Sequence, residues 1–398
     1  PARPIGEIAL DAAKARPTGV GELDRVLGGG LVPGAVVLLA GEPGVGKSTL
    51  ALDVAARAGR HGTVLYVSGE ESAAQVRLRA ERLGAVHERL YLAAETDLGA
   101  VLGHIEALDP TLLVVDSVQT IASAEVDGAA GNVAQVREVA SALIRAAKTR
   151  GCPTILIGHV TKDGSVAGPR VLEHLVDVVL AFEGERHSRL RLVRSTKNRF
   201  GATDEVGCFD LGDAGLVELA DPSELFRTRH SEATPGSAVT VALEGRRPLV
   251  AEVQALVAPS PIANPRRAVS GLDSARASMI LAVLQRRAML KLADHESYLA
   301  TVGGVRLSEP AADLAVALAV TSARVDRPIP TEVITFGEVG LAGEIRRVAG
   351  MGRRLAEAAR LGFQVAIVPP EPGPAPAGLT VIEVGDIVSA IMAARLIG

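Results

Sequence analysis

The stretch Gly41-Glu42-Pro43-Gly44-Val45-Gly46-Lys47-Ser48-Thr49 constrains this chain more than any other. It follows an apolar run, Ala35–Ala40, and opens a helical pattern over 47–60. Glycines at this density between a buried strand and a helix let successive backbone N–H groups point inward around an anion. The partial positive charge of the helix N-terminus stands behind them. The spacing G-x-x-x-x-G-K-S, in that strand-turn-helix context, makes the anion a nucleotide phosphate. Residues 41–49 then line ATP, with Lys47 neutralising the β- and γ-oxygens and the Ser48 hydroxyl ligating Mg²⁺.

Such a turn requires a sheet around it, and the sequence supplies one. Thr63–Ser68, Thr111–Val115, Thr154–Gly158 and Val176–Phe182 are further short apolar runs rich in Val, Ile and Leu, with helical patterns at 72–83 and 132–150 between them. In the last of these Val133, Val136, Val139, Leu143, Ile144 and Ala147 recur at helical spacing. Strands apolar on both faces and separated by helices predict an α/β fold with a mostly parallel sheet. Leu190–Ser195 and Cys208–Leu211 alternate more and extend that sheet at one edge. The pattern breaks at 221–237, around Pro222, Pro235 and Gly236. The expected organisation is an ATPase domain over 1–220, a linker over 221–237 and an α+β domain over 238–398. In the latter, strands are predicted at Val239–Leu243, Leu249–Val257, Glu332–Gly337 and Val365–Val368. Helices are predicted at Ser274–Leu290, Ala311–Arg324 and Arg353–Leu361.

A Mg-phosphate site also needs a carboxylate at the end of a neighbouring buried strand. Asp116, directly after Leu112–Val115, meets that need at the edge where α/β sheets bind ligands. Hydrolysis needs a group to polarise or orient water, and Glu70 and Glu71 stand just past Val64–Ser68 on the same edge. Glu70 is the expected catalytic carboxylate, with Glu71 as support or substitute; Glu71 equally suits the start of the helix at 72, where acids favour the dipole. His159 ends the strand Thr154–Gly158 and is the candidate sensor of the γ-phosphate, although a lone histidine there also serves plain packing.

Composition limits the partners. Three Tyr, six Phe and no Trp leave too few rings for a protein that grips single strands by stacking base after base. The net charge of −4 provides no global basic field, so any nucleic-acid contact must be local. The two cysteines, Cys152 and Cys208, cannot make a four-ligand zinc site, and free thiols suit a reducing cytosol. The longest apolar stretches, such as Ala311–Val320 with its Asp313, fall short of the ~18 residues a membrane span takes. No signal peptide or membrane anchor is expected, and the predicted location is cytoplasmic. Lysine is scarce, six against 36 arginines, so positions that keep it invite attention.

These segments together resemble the RadA (Sms) family of bacterial DNA repair proteins, RecA-fold ATPases. The resemblance runs through GEPGVGKST, Tyr66-Val-Ser-Gly-Glu-Glu-Ser72, Leu112-Leu-Val-Val-Asp-Ser-Val-Gln119, His159-Val-Thr-Lys-Asp-Gly164 and above all Lys197-Asn-Arg-Phe-Gly201, and it covers nearly the whole chain. It implies a homo-oligomeric ring, typically a hexamer, that moves on single-stranded DNA and drives branch migration of recombination intermediates beside the recombinase RecA. An alternative is an ATP-dependent mediator that remodels recombinase filaments without unwinding. Lys197 and Arg199, two apart on a strand-like segment, share a face. They suit a trans-acting role on the γ-phosphate held by a neighbouring subunit. DNA contacts in such rings come from central loops, here Ile121–Asn132 and Thr161–Arg170, with Lys162 and Arg170 as candidate phosphate contacts. Family members carry an N-terminal four-cysteine zinc module whose cysteines are not in this sequence, so zinc is not an expected cofactor.

The segment 274–370 resembles the Lon protease domain, through Leu307-Ser-Glu-Pro-Ala-Ala-Asp-Leu-Ala315, Gly337-Glu-Val-Gly-Leu-Ala-Gly-Glu-Ile-Arg346 and Gly350-Met-Gly-Arg-Arg354. Lon cleaves peptides with a serine-lysine dyad, and the matching positions here are Ala311 and Gly352. Without a hydroxyl nucleophile or an amine base, acyl transfer has no mechanism. A ring scaffold and DNA platform is the expected role, with the pairs Arg246/Arg247, Arg266/Arg267, Arg286/Arg287, Arg346/Arg347 and Arg353/Arg354 as phosphate contacts or as solvated surface.

Overall fold

Strands that are apolar on both faces and mostly joined through helices run parallel, and five of them do so here with a sixth, half-exposed strand parallel at the edge. The computed structural model describes residues 4, 14–159, 171–184, 189–212, 215–221, 233–262 and 264–397. Two compact units divide the chain, Pro1–Ala220 and Asp221–Gly398.

The first unit runs α1 (Gly21–Leu27), β1 (Val36–Gly41), α2 (Lys47–Gly59), β2 (Val64–Ser68), α3 (Ala73–Arg82), β3 (Leu90–Ala94), α4 (Leu98–Leu108), β4 (Leu112–Asp116), α5 (Val133–Arg150) and β5 (Thr154–His159). It closes with β6 (Val178–Glu183), β7 (Leu190–Asn198), β8 (Val206–Gly212) and β9 (Gly215–Glu218). The sheet order is β3-β2-β4-β5-β1-β6-β7-β8-β9. The first six in that order are parallel, and β7, β8 and β9 add on antiparallel at one edge.

Alternate residues of the central strands feed two separate cores, which is what a strand with both faces covered must do. Val37, Leu39, Tyr66, Val114 and Ile157 pack with Leu50, Val54 and Val76 of α2 and α3. Val36, Leu38, Val67, Val115 and Leu156 pack with Val101, Ile105, Val136, Val139 and Leu143 of α4 and α5. The α/β expectation is therefore met. β3 and α4 were not predicted. β3 is half exposed along its length, so it lacks a continuous apolar run. α4 carries Gly99 and Gly103 in its interior, and its clearest signal is the Asp97 cap, whose Oδ1 accepts from Ala100 N at 2.8 Å.

The second unit holds β10 (Ser237–Glu244), β11 (Arg247–Pro259), β12 (Arg267–Ser270), α6 (Ser274–Arg287), β13 (His295–Thr301), α7 (Asp313–Val325), β14 (Val333–Thr335), β15 (Glu338–Val339) and β16 (Ile345–Arg346). α8 (Met351–Arg360), β17 (Val365–Val368), β18 (Thr380–Glu383) and α9 (Ile387–Ala393) complete it. A four-stranded sheet, β10-β11-β13-β12, and a three-stranded parallel one, β14-β17-β18, give the α+β mixture. α7 is buried from Asp313 through Ser322.

The paired arginines divide on structural grounds. Arg354 is 0% exposed, and its guanidinium donates to both carboxylate oxygens of Glu309, at 2.7 and 2.6 Å, and to the carbonyls of Val241 and Ala349. Arg247 is also buried. Both are thus part of the interior, which corrects their assignment to a phosphate-binding surface. Arg266, Arg267, Arg286, Arg287, Arg346 and Arg353 are exposed. Among the described residues no helix is long and apolar enough to cross a membrane.

Candidate active site

β1 ends at Gly41 and α2 begins at Lys47, so the turn between them sits at the C-terminal edge of the parallel strands. Gly46 holds φ 112°, a left-handed backbone that a side chain would strain. Gly41 is needed for space, because a Cβ there would stand 2.4 Å from the Phe182 carbonyl oxygen on β6. Lys47 is buried at 3% exposure, and its Nζ donates to the carbonyls of Gly41 and Glu42, both at 2.8 Å. The loop therefore holds the ammonium at its own rim. Burial lowers the Lys47 pKa to about 8, against the fields of Asp116 and Glu70, which favour the charged form.

That shift fixes a sign. A bound phosphate favours the ammonium, so nucleotide binding raises the Lys47 pKa and takes up protons wherever free Lys47 is partly neutral. Metal-free ADP is expected to bind more weakly as pH rises from about 7 to about 9. Calorimetry at pH ~8.5 in two buffers of different ionisation heat should read uptake of part of a proton; proton release, or no exchange, would contradict it.

Register brings the remaining groups to the same edge. Gly41 pairs with His159 across β1 and β5, and Ser68 pairs with Asp116 across β2 and β4, with Glu70 two residues beyond Ser68. Ligand atoms of Glu70, Asp116 and His159 all lie within 4.8 Å of one another. Asp116 is 5% exposed; its Oδ2 accepts from the Tyr66 hydroxyl at 2.6 Å, while its Oδ1 has no hydrogen-bond partner among the described residues. A buried carboxylate oxygen without a partner is costly unless a cation completes it. The site thus fits the divalent ion its motif implies. Asp116 and Ser48 would hold that ion, and it would neutralise charge on the β- and γ-phosphates.

Glu70 Oε1 accepts from the Ser117 hydroxyl at 2.5 Å and lies 2.9 Å from His159 Nε2. That second approach is close in distance but lacks the direction of a hydrogen bond, since neither ring nitrogen of His159 has such a partner among the described residues. The close approach of the His159 ring first, then the Ser117 hydroxyl and the Lys47 charge, hold the Glu70 carboxyl well below the usual carboxylate range despite partial burial. Glu70 is therefore ionised at neutral pH and suited to orient a water rather than to keep a proton. Glu71 is drawn elsewhere: its Oε1 pairs with Arg79 on α3, and its backbone N–H donates to Ser68 Oγ at 3.2 Å. The structure brings Glu70, and not Glu71, to Asp116 and His159.

Residues that sequence reasoning missed organise this edge. Gln119 makes a reciprocal pair with the His159 backbone, donating to its carbonyl at 3.0 Å and accepting from its N–H at 3.2 Å. It ties the end of β5 to the turn after β4. Gln135 on α5, 2% exposed, holds the candidate DNA loop: its amide donates to the carbonyls of Ser123 at 3.0 Å and Val126 at 2.5 Å, and its Oε1 accepts from Ser123 N at 2.8 Å. A glutamine inside an apolar helical stripe was the available signal. For Tyr66 the signal was a phenol in the middle of a buried strand, where its hydroxyl must find a partner.

Lys197 and Arg199 stand at the other end of the sheet. Lys197 pairs with Val179, and Asn198 with Val178, whereas the P-loop end of β1 pairs with Phe182. Three to four residues of strand, about 10–13 Å at ~3.3 Å each, separate the two levels. The Lys197 Nζ donates to the carbonyls of Glu173 at 2.7 Å and Val176 at 2.8 Å, and Arg199 Nη1 pairs with the buried Asp177 at 3.0 Å. Lys162 and Arg170 lie outside the described residues.

Comparison with known proteins adds the wider context. Residues 8–165 match the AAA domain family, and residues 302–372 match the family described as subunit ChlI of Mg-chelatase. The DNA repair protein RadA of Mycolicibacterium smegmatis is 59% identical over 400 residues, covering 99% of this chain and 86% of that protein. The DNA repair protein RadA of Streptococcus pneumoniae is 51% identical, covering 87% of this chain and 83% of the relative. Among solved structures, a KaiC-like protein of Pyrococcus horikoshii matches with TM-score 0.42 and 22% identity, covering 52% of this chain and 99% of the other. With 59% and 51% identity to these relatives over most of both chains, the chain belongs to the RadA family of DNA repair ATPases.

Proposed function

We propose that the chain is the subunit of a ring, hexameric by family resemblance, that hydrolyses ATP to move along single-stranded DNA. It would drive branch migration of recombination intermediates and work with the recombinase RecA. In this scheme the P-loop N–H groups and Lys47 bind the phosphates, Ser48 and Asp116 hold Mg²⁺, and Glu70 orients the attacking water. His159, its backbone held by Gln119, senses the state of the γ-phosphate. Lys197 and Arg199 complete the site of the adjacent subunit. DNA is held through phosphates and backbone amides, since few rings are available for stacking.

The observation that carries this proposal is the separation of Lys197 and Arg199 from the P-loop of their own chain. A cation pair at the far end of the sheet has no phosphate to serve in cis. In a ring it faces a neighbour. The second unit then serves assembly and DNA contact: Ala311 is 0% exposed, and neither it nor Gly352 offers a nucleophile or a base for peptide cleavage.

A mixing experiment tests the divided site. Lys47→Ala and Lys197→Ala are each expected to be inactive alone. Co-assembled, each mixed interface that pairs an intact P-loop with an intact Lys197 should recover a fraction of ATP turnover. Mixtures that stay at the level of the separate variants would contradict a trans-acting Lys197.

A further inference from the structure

Tyr66 is 1% exposed in the middle of β2, paired in register with Val114 of β4. Its hydroxyl makes the single side-chain hydrogen bond to the Asp116 carboxylate among the described residues, 2.6 Å to Oδ2. Of the other polar groups nearby, Lys47 donates to the carbonyls of Gly41 and Glu42 and Ser117 to Glu70, while the His159 ring, within 4.8 Å, makes no hydrogen bond to Asp116 among the described residues. Asp116 is thus held at one oxygen and presents the other, buried and without a hydrogen-bond partner.

We infer that Tyr66 is a positioning residue for the divalent cation: its hydroxyl fixes the Asp116 carboxylate so that Oδ1 is the metal-facing oxygen. The inference rests on Asp116 holding Mg²⁺, as proposed above. A carboxylate with one oxygen held by a donor is restricted about its last torsion, so less ordering is left to occur when the ion arrives. Without the hydroxyl, Asp116 can turn toward the buried ammonium of Lys47, which carries the opposite charge. An ion pair there would compete with the cation. Phenylalanine fills the same volume, so the core around β2 stays packed and only the donor is lost.

The test is a titration of the full chain with fluorescent mant-ADP in EDTA and in Mg²⁺, with Mn²⁺ binding to the ADP complex followed by electron paramagnetic resonance. Tyr66→Phe is expected to weaken Mn²⁺ and Mg²⁺ binding about tenfold, the size of one hydrogen bond to a charged group. Its EDTA affinity for mant-ADP should stay within about twofold of wild type. Asp116→Asn, run in parallel, should lose the metal response more completely. Equal losses with and without metal would make Tyr66 a structural residue and overturn the inference. So would an unchanged metal response in Tyr66→Phe when Asp116→Asn has lost it. If neither variant alters the metal response, Asp116 does not hold the ion, and both statements fall. Labelling wild type with 3-fluorotyrosine gives a readout free of folding effects, since the tyrosines are only Tyr66, Tyr91 and Tyr298. The Tyr66 ¹⁹F resonance, assigned by Tyr91→Phe and Tyr298→Phe, should shift when Mg²⁺ is added to the ADP complex; a resonance that stays fixed contradicts the coupling.

Discussion

Lys47→Ala is expected to lower ATP turnover by about 10³-fold, because it removes the one cation whose amine is buried inside the phosphate loop. The effect should be larger than the loss of one surface charge, for two reasons visible in the structure. Lys47 is 3% exposed, so its charge acts where water screens it little. Its two hydrogen bonds to Gly41 and Glu42 also hold the loop rim together, and their loss loosens the arrangement of N–H groups. Turnover assays and mant-ATP binding should fall together. A variant that binds normally but turns over slowly would place Lys47 in the transition state alone.

Glu70→Gln should behave differently. The amide keeps the size of the side chain and can still meet the Ser117 hydroxyl, so nucleotide binding is expected to stay within a few-fold of wild type. Turnover should fall about 10²–10³-fold, the usual range for losing a group that orients or polarises the reacting water. His159, Ser117 and Lys47 hold the Glu70 carboxyl well below its ordinary range, so it stays ionised through the physiological span. Turnover should accordingly show no acid limb from Glu70 between about pH 5 and 8. Glu71→Gln is expected to leave chemistry largely intact and instead release Arg79, since Glu71 pairs with α3. If Glu71→Gln abolished turnover and Glu70→Gln did not, the two carboxylates would exchange roles.

The central strands and the phosphate loop were legible in the sequence because their signals are local: an apolar run, a glycine spacing, a carboxylate at a strand end. β3 was not, since an edge strand with Tyr91 in solvent lacks the run that marks a buried one. α4 was hidden by its two interior glycines. The alternatives left at Glu70 and Glu71 could not be resolved from spacing, because neighbours on a turn point different ways and only Arg79 on α3 decides which way Glu71 goes. The partners of Lys197 and Arg199 are carbonyls and an aspartate from the 173–177 turn, contacts made by sheet register and invisible to pattern. Arg354 reads as half of a surface pair in sequence. Glu309 on the segment before α7 supplies the two oxygens that allow it to be buried.

The proposed coupling of ATP chemistry to DNA is tested most directly by ATP turnover of the full chain with and without single-stranded DNA, with Lys47→Ala as the baseline. Several-fold stimulation by DNA, weakening as salt rises because phosphate contacts release counterions, and absent in Lys47→Ala, is the predicted result. Turnover that is the same with and without DNA, or that survives in Lys47→Ala, would contradict it.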